Sequence, residues 1–125
     1  MDEPTRLTDE QVSGALVEIF RDVAQTKERI ADRSLFGQVQ PGSSLAGDDR
    51  AAYPYQLSHG VDAAIGIAVD HLDAVRALIM DAMVMHPYAP FTITRAAIEA
   101  GSTAVWLLGP SSRRERVVRR CQQML

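Results

Sequence analysis

Between residues 56 and 108 the chain offers two long stretches of helix-forming sequence, parted by His86-Pro87-Tyr88-Ala89-Pro90. On a helical wheel, residues 56–85 are apolar around roughly two-thirds of the circumference. Val61, Ala64, Ile65, Ala68, Leu72, Val75, Leu78, Ile79, Ala82 and Met83 fill this broad arc. A narrow stripe of His59, Asp62, Gly66, Asp70, Asp73, Ala77 and Asp81 is left over. A helix with so little polar surface belongs at the buried centre of an all-α domain. His86-Pro87 ends it near residue 85, because proline disfavours the α conformation in the residue before it.

Pro90 suits the first turn of the next helix, expected over 90–108. That helix is rich in small side chains, among them Ala96, Ala97, Ala100, Gly101, Ser102 and Ala104. Ala97 and Gly101 stand four apart, as do Gly60, Ala64 and Ala68 on its predecessor. Small residues at this spacing let backbones approach closely, so an antiparallel hairpin is expected. Two more helices flank the pair. The first starts at a capping box of Thr8 and Gln11, with Val12, Leu16, Ile19, Phe20, Val23 and Ile30 on one face, and ends near Asp32. The last follows Gly109-Pro110 and opens on Ser112 and Glu115, a second capping box, with Val117, Val118, Cys121 and Leu125 on one side.

Residues 33–55 have no period and carry Gly37, Pro41, Gly42, Gly47 and Pro54. They read as a long loop packed in part over the bundle through Leu35, Phe36, Val39, Leu45, Tyr53 and Tyr55. The expectation is therefore one domain over 1–125, a bundle of four main helices with a long loop between the first and second.

With 125 residues, a core can form without metal or disulfide staples. The single cysteine, Cys121, excludes an internal disulfide and fits a reducing cytoplasm. The acidic start lacks the apolar region of a signal peptide, and the aspartates and Arg76 within 60–85 argue against a membrane span. A net charge of −3 argues against nucleic acid as a partner. Twelve of the 13 cations are arginine, a bias that fits GC-rich coding better than selection for bidentate contacts.

Several polar residues invite a chemical reading. His71 falls inside the apolar arc and needs a hydrogen-bond partner, for which Glu99 is the candidate. Such a pair would make a general base oriented by a carboxylate, or a satisfied core histidine. Arg95 and Glu99 stand four apart with Trp106 further along. They offer a cation, a carboxylate and an aromatic wall in one groove, or a surface ion pair. Asp62, Asp70, Asp73 and Asp81 form an acidic face whose repulsion the arginines of the last helix or a partner subunit could offset. No second helix repeats a metal-ligand pair, so neither metal nor other cofactor is expected. Arg113, Arg116 and Arg120 form a basic cluster that is, with Asp62, Asp70 and Asp73, a candidate interaction surface, or else a solvated face with Cys121 packed inward.

His86-Pro87-Tyr88-Ala89-Pro90-Phe91-Thr92, then Thr94 to Ala100 and Val105-Trp106-Leu107-Leu108-Gly109-Pro110, resemble a group of uncharacterised helical proteins common in actinobacteria and their phages. The resemblance covers about residues 56–122 and implies the amino-terminal half of longer relatives. A more distant similarity is to helical domains carrying an Arg-x(4–6)-His ribonuclease motif, which is absent here. The residues themselves favour a non-catalytic protein-interaction or regulatory module that binds a protein partner or forms a homodimer, and the resemblance implies a phage- or mobile-element-related setting. The acidic stripe or the apolar end of the last helix would supply the contact. The alternative is a small-molecule- or RNA-acting enzyme with a polar pocket around His71, Arg95 and Glu99.

Overall fold

The computed structural model describes residues 6–32 and 37–125, and among them every regular element is helical. The helices are α1 (Asp9–Ala31), α2 (Ser44–Ala51), α3 (Leu57–Arg76), α4 (Ala89–Leu108) and α5 (Arg113–Gln123). The hub is α3, which touches all four others.

α1 begins where the capping box placed it. The Gln11 amide donates to Thr8 Oγ1 at 3.2 Å, and the Thr8 amide donates to Gln11 Oε1 at 2.9 Å. Satisfying these orphan donors matters most for a peripheral helix, which has little packing to hold its first turn. Of its apolar face, only Phe20 and Val23 are buried, while Val12, Leu16 and Ile19 remain exposed. Thr8→Ala is therefore expected to cost about 1 kcal/mol. The loss would be read as a lower urea midpoint and faster amide exchange in the first turn of α1.

The α3–α4 hairpin forms as the small-residue spacing required. A Cβ on Gly101 would sit 4.0 Å from the Ala68 Cβ, so the two helices touch through little more than backbone. Leu57, Val61 and Ala64 of α3 meet Ala104 and Leu107 of α4 in the buried core. Gly60 serves a different purpose from the one its spacing implied: a Cβ there would meet the Arg120 guanidinium of α5 at 2.8 Å.

The central helix loses α geometry before His86-Pro87. From Ala77 to Asp81 it widens into a π turn, with the Ala82 amide donating to Ala77 O at 2.8 Å. Arg76 clasps the end of the helix, donating to Asp73 at 2.8 Å and to Asp81 at 3.0 Å. Met83 then adopts a φ of +53°, a left-handed conformation that stops helical progress.

The stretch expected to be a long loop contains α2. Ser43 caps it, accepting from the Ala46 amide at 3.1 Å. Leu45 packs on the core cluster and Val39 is half-buried, whereas Tyr53 and Tyr55 are exposed. Leu35 and Phe36 lie outside the described residues. Among the described residues there are thus five α-helices, and α2 is tied down by ion pairs of Asp48 to α5 and by Asp49, which accepts from the Ser58 amide and hydroxyl of α3 at 2.8 and 2.7 Å.

Candidate functional site

α1 and α4 both lie along α3 and run antiparallel to it. Leu16 and Ile19 stand near Val75 and Ile79, whereas Ile30 and Ala31 stand near Gly66 and Val69. Gly101 faces Ala68, while Pro90 and Phe91 lie near Ile79. Between the two outer helices runs an apolar groove of about 640 Å³. Leu72 and Val75 of α3 with Ile79 of the π turn form its floor, Leu16, Ile19 and Phe20 of α1 one wall, and Phe91, Thr94 and Ile98 of α4 the other. The bundle is thus open along one side, at the end nearest the turn between α3 and α4.

Arg95 and Glu99 lie on the rim of this groove. Arg95 Nε donates to Glu99 Oε1 at 2.8 Å, and both side chains are largely in solvent. Such an exposed i,i+4 pair contributes only a few tenths of a kcal/mol. His71 does not join them, and the expected bond to Glu99 is absent. Its Nδ1 instead lies 2.8 Å from Ile67 O, one turn back on its own helix. Trp106 is also elsewhere: the Arg119 guanidinium carbon sits 5.2 Å from the centre of its ring. Arg119 Nη1 also donates to Trp106 O at 2.7 Å. The four residues therefore do not make one polar pocket.

The acidic stripe is offset differently from the way its charges implied. Lys27 of α1 and Arg76 of α3 both bond Asp73. Hydrogen bonds from Lys27 and then Arg76 hold the Asp73 carboxyl below the usual range, outweighing the burial that would raise it. Arg113, Arg116 and Arg120 of α5 face other acceptors, and of these three only Arg113 stays largely in solvent. Arg116 is buried, donating through Nε to Asp48 Oδ2 at 2.7 Å and through Nη2 to Asp48 Oδ1 at 3.0 Å. Its Nη1 donates to Pro110 O and Ser111 O, and Nη2 also reaches Ser44 Oγ. Arg113 Nε adds a 3.1 Å bond to Asp48 Oδ1. Arg120 Nε donates to Gln56 O at 3.1 Å, pinning the chain entering α3. Cys121, expected to pack inward, is exposed.

Asp48 and Ser44 carry this network and do not stand out in the sequence. Burial alone would push the Asp48 carboxyl up. The hydrogen bonds and charges of Arg116 and Arg113 prevail and hold it below its ordinary value. Among the described residues no cluster of three or more histidine, cysteine or acidic side chains could hold a metal ion. None of their helices is long and apolar enough to cross a membrane. No protein-family model, curated protein or solved structure matches the chain.

Proposed function

We propose that this chain is a non-catalytic helical interaction module that seats a protein partner in the groove between α1 and α4. The observation that carries the reading is the groove itself: an apolar floor and walls open to solvent, with Arg95 and Glu99 at the rim neutralising each other. A concave apolar groove edged by a few polar groups is the ordinary form of a binding site. Catalysis would need a polar group held apart from its neighbours and aimed into the cavity. Here Arg95 and Glu99 satisfy each other, and His71 bonds its own helix. The phage- or mobile-element setting belongs to the same proposal and rests on the motif resemblance alone.

Phe91→Asp tests this function. Phe91 is exposed on the groove wall, so an aspartate there leaves the α3–α4 core intact. The variant is expected to keep its far-ultraviolet circular dichroism and lose association, whether with another chain in host lysate or with itself. Unchanged capture and unchanged assembly state would overturn the reading.

A further inference from the structure

α5 is attached by different forces from those that join α3 to α4. Its one buried residue is Arg116. Val117 is half-buried, Val118 and Cys121 are exposed, and no side chain of α5 belongs to the core cluster of Leu57, Val61, Ala64, Ala104 and Leu107. Among the described residues, the bonds that cross from α5 to its neighbours are made by arginines. Arg116 and Arg113 reach Asp48 of α2, and Arg116 also reaches Ser44. Arg120 holds the Gln56 carbonyl ahead of α3, and Arg119 the Trp106 carbonyl of α4. Two glycines make room for these cations. A Cβ on Gly47 would overlap the Arg113 guanidinium, and one on Gly60 would overlap that of Arg120.

A joint of this kind parts more readily than an apolar one. When α5 leaves, Asp48 and its arginines all return to water, and the hydration they regain offsets much of the attraction they lose. A point mutation has no such compensation, because it removes one charge and leaves the other buried. The α3–α4 contact has none either, since parting it would bare leucine, valine and alanine to water. A helix of 11 residues is too short to persist alone, so α5 unwinds as it leaves. We infer that α5 is a detachable strap, which opens and recloses on a folded α3–α4 hairpin in a step separate from unfolding of the domain and less costly than it. Arg120 and Gln123 form one side of a trough of about 220 Å³, whose other side is Gly60 and Ala64 of α3 with Ala100 and Thr103 of α4. Opening bares that face of the hairpin. It shares no residue with the groove between α1 and α4, so the strap acts independently of what the groove binds.

Native-state hydrogen exchange of the intact chain, followed by NMR in urea below the unfolding transition, tests the strap. The slowest amides of α5 should depend less on urea than those of α3 and α4, because opening exposes less surface than unfolding. Val75→Ala gives the sharper comparison. Val75 is buried in α3 beside the groove, 15 residues beyond Gly60, so its loss weakens the hairpin equally whether α5 is shut or open. The core amides of α3 and α4 should then exchange about tenfold faster, the effect of a truncated core side chain, while those of α5 change by less than about twofold. Asp48→Asn acts on the joint itself. It leaves Arg116 without its charge partner until α5 opens, and should speed exchange in α5 by about tenfold or more. Equal urea dependence in α5 and the hairpin would overturn the inference. So would α5 amides that accelerate with the core in Val75→Ala, or that ignore Asp48→Asn.

Discussion

Asp48→Ala is expected to destabilise the protein by about 3–5 kcal/mol, the cost of leaving one partner of a buried ion pair alone. The carboxylate is 2% exposed and takes two bonds from Arg116, whose guanidinium is buried beside it. Arg113 is half-exposed and can return to water once the acid is gone. Arg116 cannot, because its Nη1 stays fixed to the carbonyls of Pro110 and Ser111 while Nε loses its acceptor. Against a total stability of about 5–15 kcal/mol, a loss this large could melt the junction of α2 and α5 outright. Urea denaturation of wild type and variant measures it, and a difference below about 1 kcal/mol would show that the pair is solvated. Replacing both partners, with Asp48→Leu and Arg116→Met, should recover much of the loss, because the desolvation cost disappears with the charges.

The same pair sets a response to acid. In the folded state the Asp48 carboxyl titrates below its ordinary value, so its contribution is complete at pH values above the ordinary carboxylate range. As the pH falls through that range toward the folded-state value, the unfolded chain binds the proton first and the contribution is lost. Asp73, held low by Lys27 and Arg76, acts in the same direction. The stability of wild type should therefore fall more steeply with acid than that of Asp48→Asn, and the two curves should converge at low pH. Parallel curves would exclude Asp48 as a source of the acid response.

The parts of the fold written in local chemistry were legible in the sequence. Thr8 with Gln11 marks the start of α1 because both halves of the cap lie within one turn. Ala97, Gly101 and the small residues of α3 announce a close hairpin because only small side chains permit it. α2 was not legible, and the reason is physical. Its buried positions are Gly47 and Asp48, a bare backbone and a charge, with the half-buried Leu45 beside them, so a count of apolar residues barely registers the face it turns inward. The partner that makes this burial tolerable, Arg116, lies 68 residues away. The site was legible in fragments. Arg95 and Glu99 stand where a groove exists, but periodicity cannot say that α1 covers α3 only partly and leaves Leu16, Ile19, Phe91 and Ile98 open. An apolar face looks the same in sequence whether its own chain or another covers it.

Leu107→Ala against Leu108→Ala separates these two uses of apolar surface on one helix. Leu107 is fully buried among Leu57, Val61, Ala64 and Ala104. Truncating a buried leucine typically costs about 2–5 kcal/mol, and the amount depends on how far the surroundings can collapse into the cavity. Here they can collapse little. The alanines on both sides already bring the α3 and α4 backbones close, and helices cannot shift inward without moving the whole hairpin. The cost should therefore lie in the upper half of that range. Leu108, one residue on, is 46% exposed and turned out of the core, so its loss should stay within about 0.5 kcal/mol. Both values come from equilibrium denaturation monitored by circular dichroism. If the two substitutions cost the same, the α3–α4 contact is not the core of this domain, and the groove beside it could not rely on that hairpin for its shape.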